Sequence, residues 1–389
     1  MNATVSLLKC EHYDLHEIKE KILKGFSLLD FDPSNFRNKK VVIKPNLLKG
    51  SLPEKAIITH PEVFRAVVQL VKEYGGDPVM VESPALGALK KVLGKTGYDH
   101  ILKQENCQVA DTRVTAPIFY SKAKTYKRFE LPKALFNADV VINLPKFKTH
   151  GITYITGAVK NLFGFIHSLN KSKWHLKAST QNEFANFLLD YYETLLNGFP
   201  KSKIFLHIMD AIIAMEGEGP GSSGDPRKMG ALLLSHDAVA IDSTAARLVG
   251  FDIDRIKPLY FAKSRGIGVV SLDEIHIKGD PVNAFNIIDF TPPSITNRFG
   301  MLHWPYNTRL FKNLFTEKPV PVPGKCSLCY QCKSICPTGA ITRAKGKIRL
   351  PSYDYNDCIR CLCCMEICPE GAIEQKKGKL QWLLDFRCK

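Results

Sequence analysis

"CSLCYQCKSICPTGAI" occupies residues 326–341 and places four cysteines within eleven positions, the last followed by proline. The 325 residues before it contain only Cys10 and Cys107. The pattern returns 32 residues later as "CIRCLCCMEICPEGAI", residues 358–373, with nine of sixteen positions identical. Each copy runs into a Lys-Gly-Lys, at Lys345–Lys347 and Lys377–Lys379, flanked by strand-like residues that suggest a hairpin. A duplicated half-domain is the simplest reading, so the C-terminal part is a fold of its own.

Three chemistries use cysteines at this density. Disulfides need an oxidising compartment, and the N-terminal "MNATVSLLKC" has neither a basic leading region nor a long apolar stretch, so no secretory signal is read. Zinc takes two cysteine pairs, usually set well apart, whereas here three close thiols and a fourth before proline occur twice. The run Cys-x2-Cys-x2-Cys-x3-Cys-Pro is that of bacterial ferredoxins, in which a [4Fe–4S] cubane takes one soft thiolate on each iron. The cysteine before proline ligates the other cluster in two-cluster ferredoxins. The expected ligand sets are therefore Cys326, Cys329, Cys332 and Cys368 for one cluster, and Cys358, Cys361, Cys364 and Cys336 for the second. Cys363 faces Gln331 of the first copy and is read as a spare thiol, because Cys364 keeps the spacing. Two adjacent clusters make a one-electron relay; the bland alternative is that they only staple together a small domain with little core.

At 389 residues the chain is long enough for two or three domains, and no run approaches the length that spans a membrane. Its formal charge is +16, of which residues 325–389 contribute +6, from 12 Lys/Arg and 6 Asp/Glu. A field of this sign favours an acidic redox protein or an anionic small molecule as partner. No recognisable nucleic-acid module accompanies it. "EKPVPVPGK", residues 317–325, alternates proline with valine and reads as an extended connector. Before it, residues 298–315 mix aromatics with Arg298, Arg309 and Lys312, a composition suited to packing between domains. The expected organisation is an α/β domain over 1–297, an aromatic, basic and proline-rich segment over 298–324, and a two-cluster domain of α+β type over 325–389.

Residues 1–297 read as alternating strands and helices. "VVIKPNLL" (41–48), "PVMVES" (78–83), "ADVVINLPKFKTH" (138–150) and "SKIFLHIMDA" (202–211) are strand-like, and "PEVFRAVVQLVKEYGG" (61–76) has helical apolar spacing and a glycine stop. "ALLLSHDAVAIDSTAARLVG" (231–250) adds a strand and a helix. Repeated βα units predict a mainly parallel sheet with helices on both faces. Polar residues follow the strands, notably Lys44, Asn46 and Lys146, where open α/β sheets hold ligands. "KFKTHGITYITGAVKNLFG" (146–164) adds His150 and Lys160, and a helix beginning near Gly157 would aim its backbone N–H groups at an anion. "MEGEGPGSSGDPRKMG" (215–230) reads as a long glycine-rich loop carrying Glu216, Glu218 and Arg227.

The segments "KPNLL", "LPKFKTH", "GAVKNLFG", "MEGEGPG" and "SHDAVAID" resemble the domain of unknown function 362 family, which often carries a C-terminal ferredoxin domain. The resemblance covers nearly the whole chain. A fainter one links residues 138–166 to nickel-pincer lactate racemases, in which a catalytic histidine precedes a cofactor-bearing lysine by the separation of His150 and Lys160. Only His167 or His175 stands downstream where a metal histidine would be needed, so this likeness implies a shared ligand position and neither nickel nor racemisation. The expectation is a cytoplasmic iron–sulfur protein with two [4Fe–4S] clusters. They relay electrons to or from an anion site of Lys44, Asn46, Lys146 and Lys160, with His150 as proton donor.

Overall fold

The computed structural model describes residues 2–85, 87–285, 287–294, 313–314, 316–344 and 349–380. The segment 298–315, apart from 313–314, and the first Lys-Gly-Lys lie outside them. Ten strands form one large sheet: β1 (Ala3–Lys9), β2 (Lys40–Pro45), β3 (Asp77–Met80), β4 (Gln108–Val109), β7 (Val140–Leu144), β8 (Lys146–His150), β9 (Tyr154–Thr156), β10 (Ile204–Gly217), β11 (Gly224–Ser235) and β12 (Ile275–Gly279). Strands β5 (Thr115–Phe119) and β6 (Arg128–Pro132) make a separate hairpin. The order across the large sheet is β12-β1-β11-β10-β7-β2-β3-β4, with β8 and β9 extending from β10. Neighbours from β10 to β4 are parallel, as are β1 and β12, and β11 alone runs against both of its partners.

The strands are apolar on both sides because both faces are covered. Val42, Val141, Met209 and Leu233 point into one core, which takes Phe184, Phe187 and Tyr191 from the helix Gln181–Asn197 and Ile241 from the helix Ala238–Leu248. Val41, Ile43, Ile142 and Leu234 point the other way, onto Ile22 and Phe26 of the helix Leu15–Leu28 and Val63, Phe64 and Val67 of the helix Pro61–Glu73. A side-chain period of two divides each strand between the two cores.

Two segments differ from expectation. The glycine-rich stretch 215–230 is mostly strand: Met215 pairs with Pro226 and Gly217 with Gly224, so β10 and β11 form a long hairpin closed by residues 218–223. Composition suggested a loop because Gly, Pro and Ser punctuate it, but cross-strand hydrogen bonding outweighs their low strand preference. The proline-valine connector is likewise paired. Lys318–Pro321 is β13, antiparallel to β16 (Ile373–Lys376), so part of the expected connector pairs with the small domain. Proline is compatible with such an edge strand, where a missing N–H can face away from the partner.

In that small domain β14 (Ile341–Thr342) pairs with β15 (Ser352–Tyr353), on either side of the first Lys-Gly-Lys, and two short helices, Gln331–Ile335 and Cys363–Ile367, pack together. The duplication extends to the backbone. Left-handed residues recur 32 positions apart at Leu328 and Arg360, Tyr330 and Leu362, and Gly339 and Gly371. Non-glycine residues in this region are strained, and both cysteine loops retain them.

Candidate redox site between the two domains

The repeated left-handed turns bring the cysteines into two groups. Cys326, Cys329, Cys332 and Cys368 line one cavity of about 20 Å³. Cys336, Cys358, Cys361 and Cys364 line a second of about 20 Å³, with Cys363 also on its wall. Both groups are the sets expected from the spacing, each with one cysteine crossing from the other copy. The thiols are free. Each group of four thiols is set around its own cavity. That arrangement fits a cubane, whose four irons are spread over its corners.

The second copy is also the docking face. Gly151 accepts Leu362 so closely that a Cβ would fall 2.7 Å from its Cδ1, and a Cβ on Gly221 would fall 2.5 Å from the Glu366 carbonyl oxygen. Lys49 Nζ donates to the carbonyl of Cys368 and to Ser222 Oγ, both at 2.8 Å. The closing turn of the β10–β11 hairpin thus seats the iron–sulfur domain.

A cavity of about 90 Å³ lies between the domains. Lys44, Lys160, Lys171 and Thr156 line it from the α/β side, and Cys363 and Glu366 from the iron–sulfur side. Lys44 is buried and donates to Glu82 Oε2 at 2.5 Å and to the Pro45 carbonyl at 2.6 Å. Burial lowers its pKa against the pull of Glu82. Lys171 reaches the Ser83 carbonyl, and burial lowers its pKa to about 7. Lys160 makes no ion pair among the described residues. It stands on the helix Ala158–Leu162, whose first N–H groups point at an anion as expected, but that anion is this chain's own Asp242. The Asp242 carboxylate accepts from Ala158 N at 2.5 Å and Val159 N at 3.1 Å. Burial raises the pKa of Asp242 to about 7.

The remaining expected residues are distributed differently. Asn46 lines the cavity, but its amide is engaged: Oδ1 accepts from Lys148 Nζ at 2.8 Å and Nδ2 donates to Asn161 Oδ1 at 2.9 Å. Lys146 is off the cavity lining, buried against Asp210 Oδ2 at 2.9 Å and Tyr13 Oη at 2.8 Å. Alternation explains it, because Pro145 separates β7 from β8 and turns Lys146 to the side where Asp210 lies. His150 is also off the lining. Its Nδ1 accepts from Ile152 N at 2.9 Å and Thr153 N at 3.3 Å, which leaves the ring proton on Nε2, 3.0 Å from Glu366 Oε1. That contact is close but not aligned as a hydrogen bond. Burial, with Lys160 nearby, lowers the His150 pKa to about 4. Burial alone would raise the pKa of Glu366, but His150 and Lys160 override it and hold the carboxylate below its usual range. His167 hydrogen-bonds Thr112, whereas His175 lines the cavity.

Glu366, Lys171, Thr156 and Asn161 were not anticipated as site residues. Glu366 alone left a sequence signal, since it replaces Ser334 of the first copy with a charge at a position flanked by apolar residues.

An α/β sheet joined to a duplicated cysteine-rich domain defines a ferredoxin-linked α/β protein. The chain belongs to the family described as domain of unknown function (DUF362), which matches residues 41–247, and the 4Fe-4S binding domain matches residues 319–342 and 351–374. The two repeats correspond to two [4Fe–4S] clusters. A thylakoid-associated protein of Synechocystis sp. is 34% identical over 255 residues, 65% of this chain and 76% of the relative. A solved Thermotoga maritima protein is similar over 62% of this chain at 14% identity, with a TM-score of 0.40. The lactate racemase apoprotein of Thermoanaerobacterium thermosaccharolyticum is similar over 62% at 12% identity, with a TM-score of 0.37. The chain spans 60% and 56% of those two proteins. Among the described residues no helix is long and apolar enough to cross a membrane.

Proposed function

We propose that this protein is an iron–sulfur oxidoreductase in which the two-cluster domain passes single electrons to or from an anion held between the domains. The observation that carries this reading is the position of Cys363. It stands on the wall of the cavity ringed by Cys336, Cys358, Cys361 and Cys364, and equally on the wall of the basic cavity. The helix Cys363–Ile367 is therefore the partition between a cluster site and a ligand site. The cysteine sets Cys326, Cys329, Cys332, Cys368 and Cys358, Cys361, Cys364, Cys336 are the proposed cluster ligands, and the clusters supply one-electron transfer when bound. Lys160 and Lys171 hold the anion, and Lys44 is locked by Glu82 at the floor. His150 lies behind Glu366 and off the cavity lining, a position from which it does not deliver a proton within the cavity. The positive charge favours an acidic protein as external redox partner.

Native mass spectrometry of anaerobically purified protein identifies the retained ligand, and stopped-flow absorbance then follows reoxidation of the reduced clusters when it is added. Lys160→Ala should weaken ligand binding by roughly ten- to a hundredfold, the loss of one charge-assisted hydrogen bond of about 1.5–3 kcal/mol, with iron content unchanged. Equal binding and equal reoxidation in wild type and variant would instead identify a plain electron carrier.

A further inference from the structure

One buried cation of the α/β domain reaches a cysteine of the iron–sulfur domain directly. Lys49 lies four residues past the end of β2 and is 6% exposed. Its Nζ donates to the Cys368 carbonyl and to Ser222 Oγ, both at 2.8 Å. Neither acceptor carries a charge, and among the described residues no carboxylate forms an ion pair with this lysine. An ammonium buried without a counter-charge is costly. The negative groups that act on it are Cys368, Glu366 and Cys329, so two of the three belong to the set Cys326, Cys329, Cys332 and Cys368. No thiol of the second set is among them. A bound cubane supplies the missing balance. Four thiolates outweigh the charge of the iron–sulfide core, so the cluster is an anion and an added electron makes it more negative. The two crossing cysteines differ in this respect. The carbonyl of Cys336, the counterpart of Cys368, accepts from Gly339 N at 3.3 Å. Ser222 meanwhile packs against both Lys49 and the chain beside Cys368, since a Cβ on Gly371 would fall 3.0 Å from the Ser222 carbonyl oxygen.

We propose that Lys49 is a positioning residue that acts through Cys368 to raise the reduction potential of the first cluster, the one held by Cys326, Cys329, Cys332 and Cys368. A fixed positive charge stabilises the more negative, reduced form, and in a solvent-poor position its field is weakly screened. The lysine belongs to one domain and the cluster to the other, so docking of the domains sets the potential. This deepens the electron-relay reading and rests on its two clusters, not on the cavity or its anion. The potential is measured with no ligand present.

The test is an anaerobic redox titration of the cluster-loaded protein, followed by electron paramagnetic resonance. Lys49→Met should lower the reduction equilibrium constant of the first cluster at least about tenfold, which is about 59 mV for one electron, and that of the second by no more than about threefold. Lys49→Gln, which keeps a donor without the charge, should lower the first potential as well. The sign separates this role from that of a simple latch. Looser docking would admit water to the cluster, and water stabilises the reduced form and raises the potential. Assignment to the first cluster comes from Cys332→Ser, which loses that cluster. There Lys49→Met should change the remaining equilibrium constant by no more than about threefold. If Lys49→Met does not retain its iron, Lys49→Gln carries the test alone. Unchanged potentials, a rise, an equal fall at both clusters, or the wild-type potential in Lys49→Gln overturns the proposal. A lowered first potential without electron exchange between the clusters and a retained ligand removes the relay reading and leaves this one standing.

Discussion

The two cysteine motifs share most of their sequence and backbone conformation, yet they meet different surroundings. In the first copy Cys329, Lys333 and Ser334 are exposed and Tyr330 is half-buried. In the second, Leu362, Cys363, Met365 and Ile367 are all buried, and Glu366 faces the interdomain cavity. All seven differences lie at positions the cubane does not use; among them Tyr330 corresponds to Leu362, Gln331 to Cys363, Lys333 to Met365 and Ser334 to Glu366. Duplication supplied two equivalent cluster sites, and substitution of the outward-facing residues converted one into an internal contact. In the relay proposed above, the exposed first copy is the side open to an external partner and the second copy is the side that adjoins the interdomain cavity.

The largest expected effect comes from removing equivalent ligands in the two copies. Intact protein should contain about eight irons and eight acid-labile sulfides, four for each cluster. Cys332→Ser and Cys364→Ser should each lower anaerobic iron and sulfide analysis to about four, whereas Cys363→Ser should leave the count unchanged. A full count in Cys364→Ser with a halved count in Cys363→Ser would move the ligand set by one residue. Next in size is packing at one matched position. Met365→Ala should cost about 2–5 kcal/mol in chemical denaturation, while Lys333→Ala should stay within about 0.5 kcal/mol. Equal losses would mean that the two copies are buried alike. The smallest effect is electrostatic: Lys333→Glu should slow association with an acidic electron donor by several-fold at low salt and leave the dissociation rate nearly unchanged. A rate independent of both salt and this substitution would place the entry point elsewhere.

Much of this organisation was legible in the sequence. The cysteine sets are local in sequence, apart from one crossing residue per cluster, and their spacing carries the assignment. Strands such as β2 and β7 were legible because burial on both faces makes them continuously apolar. Strand β1 and the outer part of the β10–β11 hairpin were not, the former because Thr4 and Ser6 interrupt its apolar run, the latter because residues 215–230 are rich in glycine and proline. The cavity was only half legible. Lys44 and Lys160 stand at strand-end and helix positions that a parallel sheet places together, but Thr156 and Lys171 come from separate elements of the α/β domain and Glu366 from the small domain, so no local spacing links them. Nothing in the spacing of Lys146 distinguishes a ligand-facing amine from one paired with Asp210.

Asp242 has a consequence for how this scaffold can change. Its carboxylate occupies the main-chain donors at the start of the helix carrying Lys160, so the cavity's recognition is left to interchangeable side chains. Side chains at 156, 160 and 171 can therefore be exchanged to alter the cavity without rebuilding the backbone that Asp242 holds in place.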